Sequence, residues 1–455
     1  METRFCKPTA DETNSSGRFL WLAIWGPLLP GRACFYQFIG CQLLWLITSF
    51  VAAEVTQTKT TYPPEKDTPA GVCAALASVV TVGETIAIEG PPSDLRDSDR
   101  AENSADLVKK WMDPLRDDPN GTYQKVLKNY LTTLHPDVTL EQLSKKVHQR
   151  YGELILCHVP DPQLTKIESE HLTLVYPAGY YQNQQVVRVP IRRITVHAVD
   201  RFGDRRHVVA YFANYDKVDP RNPSVVFQVN GHFGHNPSRI GLGIEKRGGY
   251  SGAALGKLVL QGLPLITFDD HDVGESSDAT GKENGQYRTL ANLRMMDDAL
   301  LVHFSRVDAI GISGGCERLY HFMMFHRCPM ATAYLAGFFR PPWLDFHHWK
   351  TTGGERGVDH DTFNEVFYAN FQWTDLVLVG IQRCIDIRLA SMTYEGGSGK
   401  YSLRHEMLPA IRHYTDRFTV GGDDPDCDGI SNNGRNLSHE YDLIDYREYL
   451  ARTRK

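Results

Sequence analysis

The chain has 455 residues, enough for one large catalytic domain with additional material. Its 42% hydrophobic and 23% charged residues fit a soluble globular protein rather than a disordered or fibrous one. A formal net charge of −6 and no long basic run exclude nucleic acid as the main partner, because phosphate binding rests on a basic surface.

The first segment is apolar. Phe19 to Pro30 is one run, and Ala33 to Ala53 is a second, uncharged stretch of 21 residues, with Arg4, Lys7, Arg18 and Arg32 before it and Glu54 after it. About twenty apolar residues can cross a bilayer, and the cationic flank would stay on the cytoplasmic side. Val51-Ala52-Ala53 offers the small residues a signal peptidase needs. Residues 1–53 are therefore expected to be a signal peptide or membrane anchor, with the rest exported: periplasmic, secreted or anchored facing outward. The membrane would be a partner only through this segment, if uncleaved. Six cysteines would remain after cleavage, Cys73, Cys157, Cys316, Cys328, Cys384 and Cys427, and spacing alone does not pair them.

Glu54 to Thr68 is polar, contains Pro-Pro and reads as a linker. A helical pattern follows from Ser104 to about Leu156. Ser104-Ala105-Asp106 can cap its start, and Leu107, Trp111 and Leu115 recur at four-residue spacing. Asp117 to Gly121 breaks it, and Tyr123 to Leu134 and Leu140 to Leu156 predict two more helices. Residues 54–170 are thus expected to form a linker and helical N-terminal extension, with a catalytic domain over 171–455.

From about Val186 the period changes. Arg193 to Val199 and Arg206 to Phe212 alternate around an Arg-Phe-Gly-Asp turn and predict a hairpin. Short apolar runs at Ser224–Val229, Leu263–Phe268, Val307–Ile310 and Met330–Leu335 then alternate with helical stretches, notably Tyr287–Ser305. That alternation predicts a mostly parallel central sheet flanked by helices.

Gly311-Ile312-Ser313-Gly314-Gly315 directly follows the third of these runs and precedes a predicted helix from Cys316 to His326. Gly-x-Ser-x-Gly between strand and helix is the spacing of a nucleophile elbow. The turn exposes the serine hydroxyl, and glycines two residues away on either side avoid collision with the strand and helix. The Gly314 N–H would face a developing oxyanion. Upstream, Asn230-Gly231-His232-Phe233-Gly234-His235 ends the first parallel strand in a glycine-rich turn, and the His232 N–H is the candidate second donor.

With these motifs the chain from about Arg193 onward resembles the α/β-hydrolase fold family, particularly its secreted carboxylesterase and acetyl-xylan-esterase-like branch. An antiparallel pair leads to a strand ending in a glycine turn. A strand followed by Asp270-His271-Asp272-Val273-Gly274-Glu275-Ser276 and a long helix then precede the elbow. Asn230 stands where the family usually has the histidine of a His-Gly pair. The resemblance implies the triad order Ser, acid, His. Leu389 to Tyr394 reads as a strand with Glu395 at its end, which makes Glu395 the acid; Asp386, placed before that strand on a helix, is the alternative. His439, between a short strand at Arg417–Val420 and a closing helix at Tyr441–Leu450, is the base, ahead of His405 and His413 in the helical stretch Ser402–Thr415.

Two segments remain. Asp424-Pro425-Asp426-Cys427-Asp428-Gly429 resembles the opening of a calcium loop, with Asp424, Asp426 and Asp428 as ligands, but Arg435 stands where an EF-hand needs glutamate. A bound calcium would brace the loop carrying His439; no metal site is firm and no cofactor is required. The insert at 337–373, with Phe338, Phe339, Trp343 and Trp349, reads as a cap over the active site. The expected activity is that of an exported serine hydrolase cleaving a small-molecule or carbohydrate-linked carboxylic ester through a Ser-His-Glu triad and an acyl-enzyme. The alternatives are a prolyl-oligopeptidase-like peptidase and a non-catalytic hydrolase-like binding protein.

Overall fold

The computed structural model describes residues 80–81, 84–88, 138–180, 184–231 apart from 202, 237–244, 256, 258–269, 275–276, 285–312, 314–336, 363, 366–367, 370–391, 407–422, 425, 426, 432, 434 and 443–454. All belong to one compact unit, Lys66–Lys455. The expected signal or anchor at 1–53 and the first two predicted helices of the extension lie outside the described residues. No helix among those described is long and apolar enough to cross a membrane.

The third predicted helix is present as α1 (Leu140–Leu154). Thr139 Oγ1 accepts from the Gln142 N–H at 3.2 Å while Gln142 Oε1 accepts from the Thr139 N–H at 3.0 Å, a reciprocal capping box. Leu143, Val147 and Tyr151 recur every four residues and form its buried face.

Two short strands, β1 (Val80–Thr81) and β2 (Thr85–Ala87), both pair with β3 (Gln163–Tyr176) at one edge of the sheet. β3 runs antiparallel to β4 (Val187–Val199), which runs antiparallel to β5 (Arg205–Ala213). The sheet therefore begins before the hairpin expected at Arg193, and the border expected at residue 171 falls inside β3. The β4–β5 turn is stabilised locally. Gly203 takes φ +84, and Asp200 accepts the Asp204 N–H at 3.0 Å and the buried Arg206 guanidinium at 2.9 Å.

β5 then lies antiparallel to β7 (Leu265–Phe268). From there β7, β6 (Ser224–Val229, followed in the chain by the short helix α2, Pro237–Gly241), β8 (Arg306–Ile312), β9 (Met330–Ala336), β10 (Asp386–Ala390) and β11 (Phe418–Gly421) are parallel neighbours in that order. The apolar runs of β6 to β9 are short and continuous because both faces of these strands are covered. One face packs Phe227, Ala309 and Leu389 under α1, α3 (Gly285–Ala299), α4 (Gly314–Met323), α5 (Trp373–Gln382) and α6 (Leu408–Tyr414). The other packs Tyr211, Ile310 and Tyr334 under Tyr446, Tyr449 and Leu450 of α7 (Leu443–Thr453). The strand order, directions and flanking helices form the α/β-hydrolase fold that the motifs predict.

Because β7 follows β6 in the chain but lies on its outer side, the sheet order reverses between β6 and β8. In open α/β sheets the crevice beyond the carboxyl ends of the strands at such a reversal is where ligands bind.

Candidate active site

The register puts the ends of five parallel strands at one level. Val229 pairs with Gly311, Gly311 with Leu335, Leu335 with Leu389 and Leu389 with Val420. The segments that carry the sequence-predicted site residues begin at this level: those that follow Val229, Ile312, Ala390 and Gly421. Ser313, His232, Glu395 and His439 themselves lie outside the described residues, as do Asp424 and Asp428.

The elbow is defined by what its glycines touch. β8 ends at Ile312 and α4 begins at Gly314, so a single residue separates strand from helix. A Cβ on Gly311 would sit 2.8 Å from Gly315 O and 2.8 Å from Cys316 Cα. A Cβ on Gly315 would sit 2.1 Å from Val229 O and 2.9 Å from Asn230 O. These neighbours are backbone and cannot swing aside, so both positions require glycine for steric reasons. Cys316 is buried, and its thiol donates to Gly311 O and Ala336 O at 3.3 Å each, tying the start of α4 to two strand ends. Gly314 opens α4, so its N–H lies at the positive end of a ten-residue helix.

The turn after β6 is held from two sides. Asn230 is buried, and the two hydrogens of its side-chain amide have three acceptors in reach, Thr267 Oγ1 at 2.9 Å, Phe268 O at 3.2 Å and Ser238 Oγ at 3.3 Å, while Gln228 donates to its Oδ1 at 3.2 Å. Asn230 therefore bolts the turn to the end of β7. From the other side, Arg318 of α4 donates to Asn230 O at 2.7 Å and Gly231 O at 3.3 Å.

Beside this turn lies a charged cluster that the sequence reading did not anticipate. Burial pushes the Asp269 carboxyl up to about 6, although it accepts the Ser238 N–H at 2.9 Å and the Glu275 N–H at 3.4 Å. Arg193 grips Glu275 with two bonds of 3.1 Å, and the Tyr211 hydroxyl donates to the same carboxylate. Burial opposes ionisation of Glu275, but the guanidinium and hydroxyl outweigh it and hold its pKa below the usual range. Arg193 and Glu275 are 82 residues apart in the chain, so spacing carried no signal of the pair.

On the acid side, β10 spans Asp386–Ala390 rather than the predicted Leu389–Tyr394. Asp386 is the first residue of this strand, not part of a helix, and lies level with Thr332. At roughly 3.3 Å per residue that is about 13 Å below the elbow, and Asp386 instead faces Arg417 at 3.7 Å. It is excluded as the acid. The Ser391 N–H donates to Gly421 O at 2.8 Å, and Gly422 at φ +90 passes so close that a Cβ would meet Ser391 O at 2.2 Å. The segments that contain Glu395 and His439 thus start from neighbouring strand ends that touch through Ser391, Gly421 and Gly422.

α7, which begins four residues after His439, is anchored from below. Asp445 accepts the Tyr334 hydroxyl at 2.9 Å and Arg388 Nε at 2.9 Å. Beyond its end, Arg454 meets Asp308 at 2.7 Å, a buried carboxylate shared with Arg306 and the Thr332 hydroxyl. His413 is exposed on α6, and His405 lies outside the described residues. Asp426 accepts Asn432 Nδ2 at 2.9 Å. Among the described residues no group of three metal-binding side chains occurs. Cys157, Cys316, Cys328 and Cys384 are free thiols, the second and third buried. The described end of the predicted cap is core: Phe363, Phe367 and Trp373 surround the buried His321 of α4, whose Nδ1 meets Tyr151 Oη at 2.7 Å.

No protein family's sequence profile matches the chain, and no curated protein matches it. Among solved structures it is similar to a putative acetyl xylan esterase from Bacteroides fragilis, at 13% identity and TM-score 0.44 over 70% of this chain and 90% of that one. It is also similar to an esterase from Pyrococcus furiosus, at 12% identity and TM-score 0.34 over 57% of this chain and 86% of that one. A third is acetyl xylan esterase 1 from Thermoanaerobacterium sp. JW/SL YS485, at 10% identity and TM-score 0.33 over 68% of this chain and 92% of that one. At such values the fold assignment rests on the strand order and the elbow glycines of the chain itself.

Proposed function

We propose that this chain is an exported serine hydrolase that cleaves carboxylic esters. One observation carries the reading: Gly311 and Gly315 admit no Cβ on either side of Ser313, at the end of a central strand beside a topological reversal. A turn this restricted has a clear use in presenting a side chain to the crevice.

In the proposed mechanism the Ser313 hydroxyl attacks the ester carbonyl carbon and His439 takes its proton. Glu395 orients the imidazole and stabilises its cation. The N–H groups of Gly314 and His232 receive the carbonyl oxygen as it becomes negative. The tetrahedral intermediate collapses, the alcohol leaves with the proton from His439, and the acyl group remains on Ser313. Water, losing a proton to His439, attacks the acyl-enzyme; collapse frees the acid and returns the proton to Ser313. Every proton is accounted for without a cofactor. The apolar segment ending near Ala53 would direct the domain out of the cytoplasm.

A fluorophosphonate probe should label the purified chain, and Ser313→Ala should abolish both labelling and p-nitrophenyl acetate turnover. Labelling that persists in Ser313→Ala would sink the assignment. Turnover of peptides but not esters would keep the nucleophile and change the substrate class.

A further inference from the structure

Arg318 stands out because a charged side chain on the helix after the elbow reaches back to the neighbouring strand's turn. Its NH1 group bonds two successive carbonyls, Asn230 O at 2.7 Å and Gly231 O at 3.3 Å. A trans peptide is planar, with each carbonyl opposed to the N–H that follows it; no cis peptide occurs among the described residues. Whatever fixes the Asn230 carbonyl therefore also fixes the direction of the Gly231 amide. The same helix places Gly315 against Val229 O and Asn230 O. The elbow and the turn are thus joined at two points, one steric and one charged.

We propose that Arg318 is a positioning residue for the oxyanion hole: by holding the carbonyls of Asn230 and Gly231 it fixes the start of the turn that leads to the proposed donor His232. This inference rests on the serine hydrolase reading. In this role Arg318 acts through the backbone of the turn rather than on the ester itself. Its charge suits the role because hydrogen bonds from a guanidinium are about twice as strong as neutral ones, and the two hydrogens of its NH1 group can serve the two acceptors. Asn230 fixes the turn's position through its side chain; Arg318 sets the tilt of its peptides.

The test uses the full chain with Arg318→Met and Arg318→Lys, read by p-nitrophenyl acetate kinetics and by inhibition with a trifluoromethyl ketone, which mimics the tetrahedral oxyanion. Losing one oxyanion donor costs about 100- to 1,000-fold in kcat, so a misaimed donor should cost about 10- to 100-fold. Arg318→Met should lower kcat by that factor with KM nearly unchanged, and should weaken the ketone in proportion to the loss of kcat/KM. Arg318→Lys should fall between it and the unsubstituted chain, because one ammonium can still reach a carbonyl. The pH at which activity falls on the acid side should stay where it was, since the base is untouched. Unchanged kcat in Arg318→Met overturns the proposal. A kcat loss without a parallel loss of ketone affinity overturns it too. If Arg318→Met does not fold, Arg318→Lys decides: unchanged kcat and ketone affinity in the folded lysine variant overturn the role. If the unsubstituted chain neither labels with fluorophosphonate nor turns over ester, the hydrolase reading fails and this inference falls with it; if it does both, the Arg318 outcome stands separately.

Discussion

The two ends of the parallel sheet are built on different principles. At the carboxyl ends, alongside the Arg193–Glu275 cluster, the elbow gains its precision from backbone approaching backbone: Gly311 and Gly315 leave no room for a Cβ, and carbonyls are held by Cys316, Asn230 and Arg318. Toward the amino ends, buried or half-buried charges tie elements together: Asp308 with Arg306 and Arg454, Asp297 with the N–H groups of Arg327 and Cys328. One end tolerates no added atom. The other tolerates no lost charge. A fold that must hold a reacting group in place benefits from putting the stiffer of these at the site, because small displacements there cost rate rather than stability.

Gly315→Ala should break the first end hardest. Its new methyl would meet Val229 O at 2.1 Å, and the start of α4 must move away from β6. Overpacking of this kind costs about 1–3 kcal/mol, while a displacement near 1 Å at a reacting group can cost about 100-fold in rate. Esterase activity should therefore drop at least about 100-fold in protein that remains folded by circular dichroism. Activity within threefold of the original would mean that the elbow geometry is not what sets the rate.

Asp308→Ala tests the other end with the opposite signature. It strands Arg306 and Arg454, which are partly open to solvent, so the loss should lie at or below the low end for broken buried pairs, about 3 kcal/mol. The melting temperature should fall by several degrees while kcat of the folded fraction changes little. A large kcat loss with an unchanged melting temperature would show that the two ends are not separable.

Acid–base behaviour sharpens the comparison further. Asp375, fully buried in α5, accepts the Gln372 N–H at 2.9 Å, and burial pushes its carboxyl up to about 7. The folded state then binds the proton more tightly than the unfolded chain, whose carboxyl titrates near 3.9. This group's stabilisation is complete below pH 4 and is lost as pH rises through about 7. Asp269, at about 6, acts in the same direction over a narrower window. Asp375→Asn keeps the acceptor and removes the charge, so melting temperatures measured from pH 4 to 8 should fall less steeply with pH than in the parent. An identical slope would show that Asp375 does not titrate in this range.

The sequence and the structure agree where the physical requirement is local. β6 to β9 and the elbow are legible because a strand buried on both faces must be a short apolar run, and a one-residue turn must be flanked by glycine. β3 is harder to see: one face carries the partly or fully exposed Lys166, Glu168 and Glu170 in its first half and the buried Leu172, Leu174 and Tyr176 in its second, so no single polar–apolar alternation runs through it. Asp386 reads as helical because α5 stops at Gln382 and the next strand begins at Asp386, with Cys384 at φ +67 between them and no glycine or proline to mark the break. The Arg318 bond to Asn230, across 88 residues, and the Arg193–Glu275 grip, across 82, are tertiary facts that no local pattern encodes.

The smallest effect returns to the elbow and separates its two kinds of constraint. Cys316 lies one residue after Gly315 and is equally buried, yet it contributes by adding an atom rather than by lacking one. Its thiol is a weak donor to Gly311 O and Ala336 O. Cys316→Ala removes both bonds and leaves a small void, costing about 1 kcal/mol, and the turn still closes because the glycines still fit. The melting temperature should fall slightly and kcat should stay within severalfold of the parent. If Cys316→Ala instead lowers kcat as far as Gly315→Ala does, the elbow is held by its hydrogen bonds, and the steric account of this end of the sheet is wrong.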